Sequence, residues 1–252
     1  LKRGNPEITG KQFKSFAEGY GFSFPQGHLW LVCDIAGDNR TEVVDTLKTW
    51  LDLFHAVGIR NAVLHPGGMK MIKAGCEPEK IMEVRVQSLR ELAEYIKGTE
   101  MTICLENMHL RREVVECKEE KEISLCREKI ITYVPECDDL LRIIEAVGYS
   151  NIGICLDTGH LNMSSGDQAG FIRKAGRYLK ALHITDNEGA RDQHIMPFGP
   201  GTIPWDEVVS ALKEINYEGL FNFEIPGERR CPLPVRLAKL DYLKKMVAFM
   251  LS

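Results

Sequence analysis

Short apolar runs, each closed by a histidine or a carboxylate, alternate along this chain with stretches of helical period. The clearest is Gly153-Ile154-Cys155-Leu156-Asp157-Thr158-Gly159-His160, which reads as a strand, a terminal carboxylate, a small-residue turn and a histidine. Asp157 and His160 both fall at the carboxyl end of that strand. Other runs end the same way at His28, His65, Glu106, His183 and Glu224. Strands alternating with helices build a parallel sheet. Parallel strands that each deliver one metal-type ligand to a common rim point to an α/β barrel with a metal centre.

In chain order, residues 8–20 read as a helix with Phe13 and Phe16 on one face. Residues 24–33 read as a strand containing His28, and 42–57 as a helix with Val43, Val44, Leu47, Leu51 and Phe54 at helical spacing. A buried strand over 59–64 stops at His65-Pro66-Gly67-Gly68, where proline and glycines turn the backbone. A helix over 77–97 and a strand over 101–105 lead to Glu106-Asn107. Residues 109–135 are charge-rich and too long for an ordinary strand-to-helix loop, so they are expected to form a lid or hairpin beside the site, with a solvated excursion as the alternative. Further helices are expected at 138–147, 170–178, 205–215 and 233–251, and strands at 179–184 and 219–223, with a short one at 194–198. The whole reads as one domain, 1–252. An eight-stranded barrel needs one more strand, expected ahead of residue 1, because the chain opens on a helix-like segment; an open barrel would leave two unpaired edges.

Composition narrows the function. Acidic residues outnumber basic ones 36 to 32, giving a net charge of −4, which offers no general attraction for nucleic acid or anionic membrane. No apolar run approaches the length of a membrane span, and from the polar opening Leu1-Lys2-Arg3-Gly4-Asn5-Pro6 no signal peptide is expected. The eight cysteines lack CxxC spacing, and Cys104 and Cys155 lie within strands, so free thiols in a reducing cytoplasm are expected.

Five of the seven histidines, His28, His65, His160, His183 and His194, fall at strand ends or rim loops, together with Glu106, Asp157, Asp192 and Glu224. One such histidine means little; five with four carboxylates point to metal. His55 lies between Phe54 and Ala56 in a helix and is expected at the core edge, and His109, beyond Asn107, is expected behind the ligands, with a direct role as the alternative. Mixed imidazole and carboxylate sites suit Zn²⁺, Mn²⁺ and similar borderline cations rather than Ca²⁺. Such an ion polarises a carbonyl or lowers the pKa of bound water, and carboxylates move protons near neutral pH.

The segments His65-Pro66-Gly67, Leu105-Glu106-Asn107, Leu156 to His160, Leu182 to Asp186, Asp192-Gln193-His194, Gly199 to Trp205 and Phe223-Glu224, in this order, resemble the xylose isomerase-like TIM barrel superfamily. That superfamily holds sugar phosphate isomerases and epimerases and the AP endonuclease family 2 (endonuclease IV) enzymes. The resemblance implies a (β/α)8 barrel. In the isomerase and epimerase branch it implies one divalent ion (Mn, Zn, Co or Mg) on Glu106, Asp157, His183 and Glu224, with Glu106 and Glu224 as the acid–base pair. In the endonuclease IV branch it implies three zinc ions: His28 and His65 join Glu106 in one site, His160, Asp192 and His194 form another, and Glu106, Asp157, His183 and Glu224 the third. The expected function is a metal-dependent sugar or sugar phosphate isomerase or epimerase working through an enediolate. A zinc phosphodiesterase, a different metal-dependent reaction such as dehydration, and a catalytically silent sugar-binding barrel are the alternatives. Against a nucleic-acid partner stand the acidic balance and the apolar Leu29-Trp30-Leu31-Val32 after His28. His160, Trp30, Arg191 and Phe198 are candidate substrate contacts. The oligomeric state stays open, since barrels of this kind often pair.

Overall fold

The first helix, α1 (Pro6–Glu18), is started by two local signals: Pro6 opens it, and the Asn5 side chain accepts hydrogen bonds from the N–H groups of Glu7 and Ile8. The computed structural model describes residues 4–109, 111–114, 128–131, 136–225 and 230–252, and they divide into two compact units, 1–155 and 156–252.

In the first unit the strands are β1 (Gln26–His28), β2 (Asn61–Leu64), β3 (Thr102–Glu106), β4 (Arg111–Val114), β5 (Glu128–Ile131) and β6 (Ile152–Asp157). β1, β2, β3 and β6 lie side by side in that order, all parallel. Helices α2 (Arg40–Val57), α3 (Met69–Lys73), α4 (Pro78–Tyr95) and α5 (Cys137–Val147) fill the connections. α2 buries Val43, Val44, Leu47, Leu51 and Phe54, the spacing read from the sequence, and ends on Gly58 in the left-handed conformation. α4 packs beside α2 and α5 and buries Ile81, Leu89 and Leu92.

Some expectations shift. The strand expected over 24–33 closes at His28, because Leu29–Cys33 turn away to form a loop. α3 was not anticipated; it is one turn and a half, too short to leave a periodic signal. Phe13 and Phe16 on α1 are exposed, so the apolar face of that helix stays largely uncovered within the described residues. β4 and β5 pair antiparallel, a hairpin within the expected lid segment; residues 110, 115–127 and 132–135 of that segment lie outside the described ones.

The second unit begins within β6. It comprises α6 (Thr158–Asn162), α7 (Gln168–Ala175) with a 3₁₀ turn at Gly176–Tyr178, β7 (Leu179–His183), α8 (Trp205–Glu214) and α9 (Leu233–Leu251). The stretch expected as a turn after Asp157 is helix α6, capped by the Asp157 carboxylate, which accepts from His160 N at 2.7 Å. The strand expected at 219–223 reduces to a single parallel bridge, Ile184 to Phe223, and the short strand at 194–198 to a single antiparallel bridge, Asp186 to Ile195. Those two segments carry one ladder contact each, too little for a strand. Six cysteines, Cys33, Cys76, Cys104, Cys137, Cys155 and Cys231, are free thiols among the described residues. No described helix is long and apolar enough to cross a membrane.

Candidate active site

Strand register explains why polar side chains distant in sequence meet in the first unit. His28 pairs in register with Val63, and Leu64 with Leu105, so His65, one residue past Leu64, stands level with Glu106. His28 Nε2 lies 3.1 Å and His65 Nε2 3.3 Å from Glu106 Oε2, and the two nitrogens are 3.2 Å apart. Glu106 is only 2% exposed. His28 Nδ1 lies 2.7 Å from the Leu29 carbonyl. A carbonyl only accepts, so Nδ1 carries the hydrogen and Nε2 of the neutral ring turns its lone pair to the cluster.

The donor set fits a divalent cation. A tetrahedral ion with bonds of about 2.0–2.1 Å keeps its ligand atoms about 3.3–3.4 Å apart, and these three atoms stand at 3.1–3.3 Å. The Nδ1 hydrogen bond to a backbone carbonyl is the support that orients a ligating imidazole.

The turn that presents His65 is held from behind. Asp34 Oδ1 accepts from Gly68 N at 2.6 Å and from Ala36 N at 3.0 Å, and the buried Arg85 donates from Nε to the Pro66 and Gly67 carbonyls at 3.1 and 3.2 Å. Gly67 and Gly68 both take positive φ, and a Cβ on Gly68 would come within 2.8 Å of Ile81 Cγ2, so only glycine fits there.

In the second unit Asp157, His183 and Glu224 present ligand atoms within 4.8 Å of one another. Asp157 is completely buried. His183 Nδ1 lies 2.9 Å from Glu224 Oε2. Glu224 is placed by the backbone, its N–H donating to the Ile184 carbonyl at 3.0 Å beside the bridge to Phe223. Thr158 Oγ1 ties the start of α6 to the end of β7, donating to the Thr185 carbonyl at 2.6 Å and accepting from Thr185 N at 3.0 Å.

A second group surrounds Asp192. His160 Nε2 lies 3.5 Å from its Oδ2 and His194 Nε2 3.2 Å from its Oδ1. His194 Nδ1 donates to the Glu224 carbonyl at 2.9 Å. The contacts with His160 and His194 hold the Asp192 carboxyl well below the usual carboxylate range; the Asp192 contact lifts the His194 imidazole to about 9 against the opposing effect of burial. His194 and Phe198 both take the left-handed backbone conformation, φ 49° and 62°, a strain that a non-glycine residue holds only where the surroundings enforce it.

Of the other expected contacts, Trp30 is half-buried at the loop after β1, Arg191 is exposed, and the Phe198 ring meets Phe249 edge-on at 6.1 Å. Asp34, Arg85 and Asp186 were not anticipated. Asp186 is buried and accepts from Trp205 Nε1 at 2.8 Å, Asn187 N at 2.8 Å and Ile203 N at 3.3 Å, which fixes the loop bearing Asp192 and His194. Its signal was present, since Asp186 and Trp205 both lie in the quoted segments. Arg85 left none, because an arginine in an amphipathic helix reads as a solvated face.

The sequence model of the xylose isomerase-like TIM barrel family matches residues 4–250. A D-psicose 3-epimerase of Enterocloster bolteae is 33% identical over 112 residues, 43% of this chain and 35% of its own length. A fructoselysine 3-epimerase of Escherichia coli O157:H7 is 23% identical over 225 residues, 85% of this chain and 72% of its own. The solved 3-keto-D-glucoside 4-epimerase of E. coli superposes with a TM-score of 0.71 over 95% of this chain and 86% of its own, at 18% identity, a likeness of fold. The chain spans 35% to 60% of the length of three of the curated relatives it matches. With a family match that runs nearly its whole length, this chain belongs to the xylose isomerase-like TIM barrel family.

Proposed function

We propose that the protein is a divalent-metal-dependent epimerase or isomerase of a sugar or sugar phosphate. Several relatives are named sugar 3-epimerases, D-psicose 3-epimerase and fructoselysine 3-epimerase among them. The observation that carries the reading is Glu224, held 2.9 Å from His183 Nδ1 beside the fully buried Asp157: a carboxylate positioned for proton transfer next to two further ligand-type groups. Inverting a carbon next to a carbonyl needs a proton taken from one face and another delivered to the opposite face, hence two carboxylates. The family resemblance gives those two roles to Glu106 and Glu224. One, ionised, breaks the C–H bond and takes the proton, leaving the electron pair in an enediolate. The other, protonated, gives its proton to the same carbon from the other face for epimerisation; delivery to the adjacent carbon, with a proton passed from the hydroxyl oxygen of the first carbon to the former carbonyl oxygen, gives isomerisation. A divalent ion held by Asp157, His183 and Glu224 would polarise the carbonyl and offset the enediolate charge. His160 anchors a substrate hydroxyl.

Ketoses incubated with the Mn²⁺-loaded protein in D₂O should exchange the carbon-bound hydrogen next to the carbonyl, read by proton NMR. Glu224→Gln should lose that exchange with an unchanged circular-dichroism spectrum, and retained exchange would sink the role given to Glu224.

A second reading, a zinc phosphodiesterase, is favoured by the two extra ligand-type groups, His28-His65-Glu106 and His160-Asp192-His194. Two or three tightly held zinc ions per chain, with hydrolysis of an abasic-site duplex, would establish it in place of the first.

A further inference from the structure

A cavity of about 380 Å³ opens beside His65 in the first unit. Such a volume is in the range of small-molecule sites, and a site for a free sugar alone would be lined with groups that hydrogen-bond hydroxyls. This wall is mostly apolar: Leu31, Val32, Pro66, Met69, Ile72 and Met108 contribute to it. Lys70 and His109 also line it, while two of its charged groups are turned to the backbone, Asp34 to Gly68 N and Ala36 N, and Arg85 to the Pro66 and Gly67 carbonyls. Asp34 and Arg85 hold the His65 turn in shape, and apolar side chains make up most of the surface that a ligand meets. His65 is at once part of this wall and 3.3 Å from Glu106, so a sugar seated against Glu106 has the cavity within reach of its substituents.

We infer that the natural substrate is a sugar carrying an uncharged apolar substituent, and that the cavity between Pro66, Met69, Ile72 and Met108 receives that substituent. The inference rests on the sugar reading above and adds the substrate class. The sugar keeps its carbonyl free for proton transfer, and the apolar group is joined at another carbon. Removing the substituent from water at this wall supplies the preference over the free sugar.

The test is binding, so it does not depend on turnover. D-fructose, 1-O-benzyl-D-fructose and 6-O-benzyl-D-fructose are titrated calorimetrically into the Mn²⁺-loaded full chain. At least one benzyl ether should bind at least tenfold tighter than D-fructose. Ile72→Trp, which fills the cavity, should abolish that gain and leave D-fructose affinity unchanged. Val32→Glu, at a position 81% exposed where folding tolerates a charge, should cut the gain severalfold. Equal affinities for all three sugars, or a gain that survives both substitutions, would overturn the inference. Tight, cavity-dependent binding without hydrogen exchange at the sugar would overturn the proposed reaction and leave the substituent pocket standing.

Discussion

The Nε2 atoms of His28 and His65 stand 3.2 Å apart, and both lie within 3.3 Å of the same oxygen of Glu106. With the His28 Nδ1 hydrogen committed to the Leu29 carbonyl, its Nε2, the His65 Nε2 and the Glu106 carboxylate oxygen converge on one point, an arrangement that a divalent cation would stabilise. Zinc or manganese at about 100 times its dissociation constant should stabilise the fold by about 2.7 kcal/mol. For a chain of this size that is a rise in Tm of about 5–10 °C. His28→Ala and His65→Ala should each shrink the rise and lower the metal bound per chain by elemental analysis. A Tm unmoved by metal in the unaltered protein would count against a cation in this cluster.

The Asp192–His194 contact gives the metal-free protein a pH dependence of definite sign. His194 donates from Nδ1 to the Glu224 carbonyl and faces Asp192 from Nε2, so both nitrogens are served only when the ring is protonated. Its folded pKa, about 9, lies above the ordinary imidazole value of 6.5. Its stabilisation is therefore complete below about pH 6.5 and lost as the pH rises through about 9. The depressed Asp192 carboxyl acts in the other sense, its share being present above its ordinary value of 3.8 and lost in acid. Thermal melts of the chelator-treated protein should show Tm falling between pH 6.5 and 9, and His194→Gln should flatten that slope. An equal slope in both proteins would assign the dependence elsewhere.

Much of this site was legible in the sequence because a parallel strand buried on both faces is a short apolar run, and the residue that ends it is the one that reaches the rim. His65, Glu106, Asp157 and His183 were found that way, and register then brought His65 level with Glu106. The segments around Ile195 and Phe223 resisted, since one bridge apiece leaves no alternation to read. The groups that hold the loops, Asp34 and Arg85, were invisible because their partners are backbone atoms 34 and 19 residues away, and backbone atoms have no sequence signature.

Cys33 sits at the apolar cavity yet should be inert. Burial, with a smaller contribution from the neighbouring Asp34 carboxylate, pushes its thiol up to about 12, so below that pH the nucleophilic thiolate is scarce. Iodoacetamide at pH 8 should leave Cys33 unmodified in the folded protein and label it once the chain is unfolded in guanidinium, as read by peptide mass spectrometry. Stoichiometric labelling of the native protein within minutes would show that the loop from Leu29 to Cys33 opens readily.

Asp186 is the group whose loss should separate scaffold from chemistry in the second unit. Its carboxylate accepts from the indole of the buried Trp205 at 2.8 Å and from two backbone N–H groups, and its own backbone forms the bridge to Ile195. The loop so fixed carries Asp192 and His194, the latter in a strained left-handed conformation that only a firm frame maintains. Asp186→Ala strands the Trp205 N–H in an apolar setting, at a cost of about 1–3 kcal/mol for each buried donor left without an acceptor. Gly201→Ala reaches the same contact from the other side, because a Cβ there would lie 2.1 Å from the Asp186 carboxylate and must displace it. Both variants should melt several degrees lower, and both should weaken any zinc binding at Asp192 more than zinc binding at His28 and His65. Zinc titration followed by calorimetry distinguishes the two steps. If both steps weaken equally, Asp186 serves the stability of the unit as a whole rather than the placement of its loop.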